Sequence, residues 1–328
     1  MGFIATVTWR MVFCLVLFIS GAQAADFERR DVTFTSQGSK CAAWYYVPAG
    51  MTPEERRPAI VMAHGYSGVK ESYLAEFADK FAEAGFVVLV FDYRFLGTSE
   101  GEPRQQIFWY DQVSDYLNAI TWISLQPEVD RDRIGIWGSS FAGGHVMYVA
   151  AFDKRVKAVV AQVPVGDMWE AHYSSLPPDV IGRISARNAR ARELRLTVGE
   201  VEYWPVVAPE GQRCALRHPE AFRWFTEMGR HAPSWKNRVT VESFEANMFY
   251  NPVAHIDLIS PIPLLMVIGS DDTLTPTEQQ KRAFERAGEP KKLVVVQGAR
   301  HFDAYNGPRH LEFFAPQLEW FWKHLAKR

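Results

Sequence analysis

A serine between two small residues is the first feature of this sequence that could carry out chemistry. The stretch Gly138-Ser139-Ser140-Phe141-Ala142 approximates the pattern G-x-S-x-G, in which a strand turns sharply into a helix and exposes the serine. Gly138 and Ala142 stand two residues to either side of Ser140, where a large side chain would clash with so tight a turn. Ser139 has bulky aromatic residues at the same two distances. The pattern therefore favours Ser140 over Ser139 as a nucleophile.

A serine hydroxyl is a weak nucleophile, so a base and an orienting acid are needed elsewhere in the chain. Asp272 and His301 each follow a short apolar run that is typical of a buried strand. The order serine, aspartate, histidine is that of one hydrolase architecture and differs from the orders in chymotrypsin and subtilisin. Asp271 and Asp303 lie next to these positions and are alternative candidates for the acid.

The elements that must position these residues alternate along the chain. An antiparallel hairpin is predicted first, from residues 33–35 and 41–47. After it, apolar runs without period-2 alternation indicate strands that are buried on both faces of a parallel sheet. The predicted strands comprise residues 59–63, 86–91, 133–137, 156–163, 263–268 and 292–296. The predicted helices comprise residues 71–84, 112–125, 141–151, 277–287 and 310–325.

This alternation of strands and helices predicts an α/β fold with a doubly wound, mostly parallel sheet. Active sites in such sheets form at the carboxyl ends of the strands. Ser140, Asp272 and His301 all follow predicted strands. We therefore expect the three side chains to meet at one edge of the sheet.

One stretch interrupts the alternation, from residue 166 to about residue 261, and we call it the cap. It contains no convincing buried strand and is predicted to be a helical insertion. Its aromatic residues could line an acyl pocket or simply hold the cap together: Trp169, Tyr173, Tyr203, Trp204, Trp224, Phe225, Trp235, Phe244, Phe249 and Tyr250. A basic run predicts either a solvated helix face or attraction of an anionic substrate or a membrane surface: Arg183, Arg187, Arg190, Arg192 and Arg195.

The first residues have the pattern of a signal peptide. A short, mildly basic start precedes the apolar run 11–20, and Ala22-Gln23-Ala24 has the small-x-small pattern of a cleavage site. Ten or so apolar residues are too few to cross a bilayer core of about 30 Å as a helix. The sequence therefore predicts removal of residues 1–24, leaving one exported domain, residues 25–328. This domain would lie in a periplasm or outside the cell, with no transmembrane segment.

The composition excludes several classes of protein. Of 328 residues, 48% are apolar and 23% are charged, which is unlike a disordered chain or a coiled coil. The formal net charge of -2 argues against a broad nucleic-acid binder and favours a small or apolar partner. Cys41 and Cys214 remain after signal cleavage and could form a disulfide or stay as buried thiols. The absence of C-x-x-C and H-E-x-x-H patterns gives a zinc site little support.

Taken together, these motifs resemble those of the α/β-hydrolase superfamily, over the chain from residue 31 to its end apart from the cap. The matching segments are HGYSG at 64–68 after the third strand, FDYR at 91–94, GTSEG at 97–101 and GSDDTLTP at 269–276. The details HFDAY at 301–305 and GGH at 143–145 resemble a narrower branch. That branch holds dienelactone-hydrolase-like and peptidase-like serine hydrolases and polyketide-releasing acyltransferases.

The resemblance implies an eight-stranded sheet and a triad of Ser140, His301 and Asp272, with no metal or organic cofactor. It also implies an oxyanion site made by the backbone N–H groups of Tyr66 and Phe141. The expected reaction is hydrolysis of a small-molecule carboxylic ester or thioester through an acyl-enzyme. Acyl transfer to another acceptor and cleavage of an amide or peptide bond are alternatives. A non-catalytic binding protein is disfavoured because such proteins typically lack a triad member, whereas all three are present here.

Overall fold

The computed structural model of the protein describes residues 26–326. The predicted signal peptide, residues 1–24, and its cleavage site lie outside this range. Across the part of the chain that is described, no helix combines the length and the apolar character needed to cross a membrane.

Eight strands form the main sheet, in the order β1-β2-β4-β3-β5-β6-β9-β10. The strand β2 is antiparallel to both of its neighbours, and all other neighbouring pairs are parallel. Their bounds are β1 Phe27–Ser36, β2 Ser39–Pro48, β3 Arg57–Ala63, β4 Val87–Phe91, β5 Val129–Ser139, β6 Val156–Gln162, β9 Leu264–Gly269 and β10 Lys291–Val296. The prediction of a doubly wound, mostly parallel α/β sheet with eight strands is confirmed.

The central strands form as predicted because their side chains are buried on both faces. Every residue of β4 and β9 is buried, and their sequences are almost entirely Val, Leu, Ile, Met and Phe. The edge strand β10 is only half-buried over most of its length, since it has a partner on one side alone. The parallel register brings the carboxyl ends of β5, β6, β9 and β10 to one edge of the sheet.

Helices cover both faces of this sheet. The helices α1 and α9 lie on one face, where Phe81 and Phe321 meet edge to face. The helices α2, α3 and α8 cover the other face. Their bounds are α1 Leu74–Glu83, α2 Trp109–Ser124, α3 Phe141–Phe152, α8 Thr277–Arg286 and α9 His310–Leu325. These helices enclose the sheet and leave its carboxyl edge to the cap.

The cap is helical, as predicted, and has one small sheet of its own. The helices are α4 Met168–His172, α5 Pro178–Val198, α6 Pro219–His231 and α7 Glu242–Met248, and a 3-10 turn follows at Ile256–Ile259. The strands β7 Tyr203–Trp204 and β8 Val239–Thr240 pair with each other and not with the main sheet. The main sheet resumes only at β9, so the cap is an insertion between β6 and β9.

Four elements begin three or more residues away from their predicted starts: β1, β5, α1 and α2, of which α2 begins at Trp109 and not at residue 112. The strand β1 begins at Phe27 and not at residue 33, because its charged first residues lie exposed at the sheet edge and give no apolar signal. The strand β5 begins at Val129, where Arg57 pairs with it before a register shift. The helix α1 begins at Leu74 and not at residue 71, since Tyr73 has a left-handed backbone that no α-helix accommodates.

The two remaining cysteines are not joined. Cys41 and Cys214 are both buried free thiols. Cys41 lies in β2 at the centre of the core, and its burial raises the pKa of the thiol far above the ordinary range. Of the two alternatives, a disulfide or two buried thiols, the structure shows the buried thiols.

Candidate active site

Ser140 occupies a strained turn between the end of β5 and the start of α3. Its backbone has φ 58° and ψ -116°, a conformation that L-residues rarely adopt. A side chain at Gly138 would place its Cβ 2.2 Å from the carbonyl oxygen of Ala142, so only glycine fits that position. The neighbouring Ser139 points into the core instead, where its Oγ accepts a hydrogen bond from Gln162 Nε2 at 3.0 Å. The structure therefore presents Ser140, and not Ser139, to the cavity beside it.

The three residues singled out as nucleophile, base and acid form a continuous hydrogen-bonded series. His301 Nε2 lies 3.0 Å from Ser140 Oγ. On the other side of the ring, His301 Nδ1 lies 2.8 Å from Asp272 Oδ2. Because an ionised carboxylate only accepts hydrogen bonds, the proton of the neutral imidazole belongs on Nδ1. The lone pair of Nε2 then faces the Ser140 hydroxyl, which is the arrangement that general-base activation of a serine requires.

Asp272 is held as a carboxylate by the loop after β9. Its Oδ1 accepts hydrogen bonds from the backbone N–H groups of Leu274 and Thr275, each at 2.9 Å, and its Oδ2 accepts one from Thr275 Oγ1 at 2.7 Å. Burial would raise the pKa of this carboxyl, but His301 and the Thr275 hydrogen bonds lower it further than burial raises it. The pKa of Asp272 consequently lies below its ordinary value, and the group is ionised at neutral pH.

The two alternative acids point elsewhere. Asp271 is exposed and accepts a hydrogen bond from Ser270 Oγ at 2.6 Å. Asp303 accepts one from the backbone N–H of Arg300 at 2.8 Å and so closes the short 3-10 turn that holds His301. Neither carboxylate contacts the imidazole, which leaves Asp272 as its partner.

Tyr66 and Phe141, expected to supply backbone donors, both line the cavity next to Ser140. Their rings meet edge to face with centroids 5.6 Å apart. The main chain after β3 passes close over the serine, since a Cβ at Gly65 would lie 3.0 Å from Ser140 Cβ. Neither backbone N–H donates a hydrogen bond to another group of residues 26–326. Both N–H groups are therefore available to a ligand.

Sequence analysis missed two hydroxyl groups beside the series. Thr275 Oγ1 lies 3.1 Å from His301 Nδ1 in addition to its bond with Asp272, and the three-residue spacing from Asp272 is the one sequence signal that could have indicated it. The Tyr305 hydroxyl lies beside the side chains of Ser139 and Ser140, and burial raises its pKa far above the ordinary range. This hydroxyl is protonated at neutral pH and can donate a hydrogen bond toward Ser140.

The cavity at Ser140 has a volume of about 550 Å³, and we call it the Ser140 cavity. Ser140 and His301 lie on the side formed by the strand ends, and the cap forms the other side. Five of the ten cap aromatics line it: Tyr173, Trp204, Trp224, Phe225 and Phe244. The other five are absent from its wall: Trp169, Tyr203, Trp235, Phe249 and Tyr250. A volume of this size suits a small organic molecule.

The fold and the site geometry together define an α/β hydrolase. A family model described as X-Pro dipeptidyl-peptidase (S15 family) matches residues 37–303, and the chain belongs to this family.

The alignments with several relatives cover most of both proteins. Thiohydrolase aneE of Aspergillus aculeatus is 32% identical over 260 residues, which cover 76% of this chain and 80% of the relative. Polyketide transferase grgF of a Penicillium species is 32% identical over 308 residues, covering 92% and 99%. Quorum-quenching protein AidA of Acinetobacter baumannii is 30% identical over 282 residues, covering 84% and 89%.

The solved structures include the crystal structure of the α/β hydrolase GrgF from Penicillium. It superposes with a TM-score of 0.80 at 31% sequence identity, covering 92% of this chain and 100% of that chain. The sheet and the cap therefore follow one common plan in the two proteins, and the chain is a hydrolase of this class.

Proposed function

We propose that the protein is a serine hydrolase that cleaves carboxylic esters or thioesters through an acyl-enzyme on Ser140. The observation that carries the proposal is the series from Asp272 through His301 to Ser140 Oγ, with contacts of 2.8 and 3.0 Å, in the wall of the Ser140 cavity. The similarity to a protein named thiohydrolase supports hydrolysis of an acyl bond.

In the first half of the proposed reaction, His301 Nε2 accepts the proton of Ser140 as Oγ attacks the carbonyl carbon. The bond to the alcohol or thiol then breaks, and His301 returns its proton to that leaving group. Asp272 holds the imidazole in the required tautomer and stabilises its positive charge. In the second half, His301 takes a proton from a water molecule, whose oxygen attacks the acyl carbon. The bond from that carbon to Ser140 Oγ then breaks, His301 returns its proton to Oγ, and the acid is released.

The oxyanion that forms at each attack needs donors that are already in place. In this proposal the backbone N–H groups of Tyr66 and Phe141 bind it, because both residues line the cavity at Ser140 and neither N–H has an acceptor within residues 26–326. A preorganised donor of this kind is typically worth about 3 kcal/mol of transition-state stabilisation. The strained backbone of Ser140 is consistent with this role, since residues in rare backbone conformations cluster at active sites.

Acyl transfer is a second candidate, favoured by the similarity to polyketide transferase grgF over 99% of that protein. An alcohol or amine would take the place of water in the second half of the reaction. The cap supports this alternative because it covers the Ser140 cavity and could exclude water from the acyl-enzyme. Product analysis with and without added acceptor alcohols separates the two outcomes.

The test of the proposed function combines labelling and turnover. A fluorophosphonate probe should modify Ser140, located by peptide mass spectrometry, and Ser140→Ala should lower kcat for aryl butyrate and butyryl thioesters by at least about 10⁴-fold. Ser139→Ala is the matched control, because this adjacent hydroxyl points into the core, and it should keep most of the activity. Equal turnover by the Ser140→Ala variant would rule out the acyl-enzyme.

A further inference from the structure

The basic run of α5 divides into three arginines that are paired with carboxylates and two that are not. Arg183 pairs with Asp179, Arg192 with Glu245 and Arg195 with Glu242. Arg190 is exposed to solvent. Arg187 alone lines the Ser140 cavity, and no carboxylate of residues 26–326 lies within ion-pair distance of it.

Aromatic rings fix the position of the Arg187 guanidinium. Its central carbon lies 4.7 Å from the ring centre of Trp204 and 4.8 Å from that of Phe244. Its Nε and Nη2 donate to Asn188 Oδ1 at 3.1 and 2.8 Å. A guanidinium has five N–H donors, so about three remain for another acceptor. Stacking of this kind holds the charge in place without neutralising it.

The charged groups nearest to Arg187 do not supply a counterion. Arg213 and Arg217 both repel it, and Glu202 attracts it without forming an ion pair. Arg217 lines the Ser140 cavity as well, and Arg213 also stacks on the Trp204 ring, 4.9 Å from its centre. Burial lowers the pKa of Arg187, although a guanidinium stays protonated at neutral pH. The cap side of the cavity therefore carries positive charge in excess.

A second, independent observation comes from α7. Asn247 is only 3% exposed and lines the Ser140 cavity. The Tyr66 hydroxyl lies beside this amide, but neither Nδ2 nor Oδ1 makes a well-formed hydrogen bond with any group of residues 26–326. A buried amide without partners costs about 1 to 3 kcal/mol, and a half-buried cation without a counterion is also unfavourable. An acceptor on a bound molecule would pair with the Arg187 guanidinium and with Asn247 Nδ2, whereas Asn247 Oδ1 would still need a donor.

We infer that the cap side of the Ser140 cavity, at Arg187, Arg217 and Asn247, binds an anionic group of the substrate, a carboxylate or a phosphate. This group lies away from the bond that Ser140 attacks. The inference rests on the proposed function in placing substrate in this cavity, and it narrows the substrate to an anionic ester or thioester. Carboxylate and phosphate share the oxygen geometry that a guanidinium binds with two hydrogen bonds.

Two substrate pairs test the inference and locate the charge. In the first pair, phenyl hydrogen glutarate carries a carboxylate on its acyl group and phenyl pentanoate does not. In the second pair, S-pentanoyl 4′-phosphopantetheine carries a phosphate on its leaving group and S-pentanoyl pantetheine does not. The ratio of kcat/KM, charged over neutral, is measured for each pair with the wild-type protein and with Arg187→Gln. Arg190→Gln is the matched control, because Arg190 belongs to the same run and faces solvent.

We expect the wild-type protein to favour the charged member of one pair. Arg187→Gln should lower that ratio roughly 10- to 100-fold, as for hydrogen bonds to a charged group. Arg190→Gln should leave both ratios unchanged. If Arg187→Gln lowers the ratio in the glutarate pair, the anion belongs to the acyl group. If it lowers the ratio in the phosphopantetheine pair, the anion belongs to the leaving group. Ratios that Arg187→Gln leaves unchanged in both pairs, or that Arg190→Gln lowers equally, would overturn the inference.

A binding measurement keeps this result separate from that of the proposed function. Calorimetry with Ser140→Ala protein gives Kd for the four substrates without turnover, and adding Arg187→Gln should raise Kd for the charged member at least about tenfold. If esters bind in this way but Ser140 neither turns them over nor reacts with the fluorophosphonate, the hydrolase proposal fails and the anion site stands. Arg217→Gln provides a second variant if Arg187→Gln does not fold, and it should lower the same ratio. An unchanged ratio there would count against the site.

Discussion

The two sides of the Ser140 cavity differ in how their polar groups are paired. On the strand-end side, Asp272 accepts hydrogen bonds from His301, Leu274 and Thr275, and His301 in turn contacts Ser140. On the cap side, among residues 26–326, the Arg187 guanidinium has no carboxylate partner and the buried Asn247 amide makes no well-formed hydrogen bond. The side chains of Ser140, His301 and Asp272 are therefore paired with one another without a ligand, whereas the polar side chains on the cap side are not.

This difference indicates a division of tasks. In the proposed function, groups that are fixed by the ends of β5, β9 and β10 determine which bond is broken, since they must keep one geometry for every substrate. Groups in the cap determine which molecule is held, since their unpaired donors and acceptors distinguish one ligand from another. Substitutions on the two sides should therefore change different kinetic quantities.

The largest effect is expected from Asp272→Asn, on the strand-end side. The asparagine has nearly the same shape, but its Nδ2 can donate toward His301 Nδ1 and so favours the wrong tautomer. The proton then moves to Nε2, which can no longer accept one from Ser140. We expect kcat to fall about 10⁴-fold for charged and neutral esters alike, measured under saturating substrate.

Asp303→Asn is the matched control for this prediction, since Asp303 was the alternative acid and follows His301 by two residues. Its carboxylate bonds only to the backbone N–H of Arg300, so the variant should retain kcat within about tenfold. A greater loss with Asp303→Asn than with Asp272→Asn would assign the orienting acid to Asp303. A loss that differed strongly between charged and neutral esters would contradict the division of tasks.

A smaller effect is expected where the two sides join, at His145. This histidine of α3 lies 2.6 Å from the hydroxyl of the cap residue Tyr250 through Nδ1, and 2.9 Å from Gln112 Oε1 through Nε2. Burial, with a small contribution from His64, lowers the pKa of His145 to about 3. Below about pH 6.5 the unfolded chain takes up a proton at this residue, whereas the folded protein does not until about pH 3.

The free energy of unfolding should therefore decrease as the pH falls through this window. His145→Gln removes the titrating group and offers both a donor and an acceptor. The stability difference between wild type and variant should narrow by about 3 kcal/mol between pH 7 and pH 4, as measured by urea unfolding. A difference that stays constant with pH would mean that His145 is charged in the folded protein or that its neutral form is not required at this junction.

The same division explains which parts of the molecule the sequence could predict. The sheet, Ser140, Asp272 and His301 follow from local patterns, because a buried strand, a turn and a helix each leave a periodic signal. Thr275 lies three residues from Asp272, but only the folded loop shows that its hydroxyl contacts His301. Element boundaries were less certain wherever charged residues began a strand, as in β1.

The cap residues that line the cavity could not be predicted in this way. The helix α5 buries only Asn188 and Ala191, so its sequence has no apolar face that would indicate which arginine turns inward. The position of Arg187 depends on contacts with Trp204 and Phe244, which are distant in the sequence. The size of a side chain does not identify the residues that line the cavity either, since Trp204 lines it and the equally large Trp235 does not.

The smallest effect is expected on chain-length preference, from the pair Trp224 and Trp235. Both belong to the cap. Trp224 lines the Ser140 cavity and stacks on Phe302 at 4.8 Å, whereas Trp235 stacks on Phe225 and donates to the carbonyl of Ser67 outside the cavity wall. The side of the Trp224 ring that borders the cavity therefore limits the space for an acyl chain. Trp235 does not border the cavity and sets no such limit.

Replacing Trp224 with leucine should open space next to His301 and admit longer acyl groups. One methylene in an apolar pocket changes discrimination by about 1 to 3 kcal/mol, so the ratio of kcat/KM for octanoate over butyrate aryl esters should rise about tenfold. Trp235→Leu should leave this ratio unchanged while lowering stability to a similar degree, which separates pocket shape from loosening of the cap. If Trp235→Leu moved the ratio as far as Trp224→Leu, the mobility of the cap and not its wall would select the acyl chain. If neither variant changed the ratio, we would assign the choice of acyl-chain length to the loop 95–110. The cap would then affect specificity through the charge of Arg187 alone.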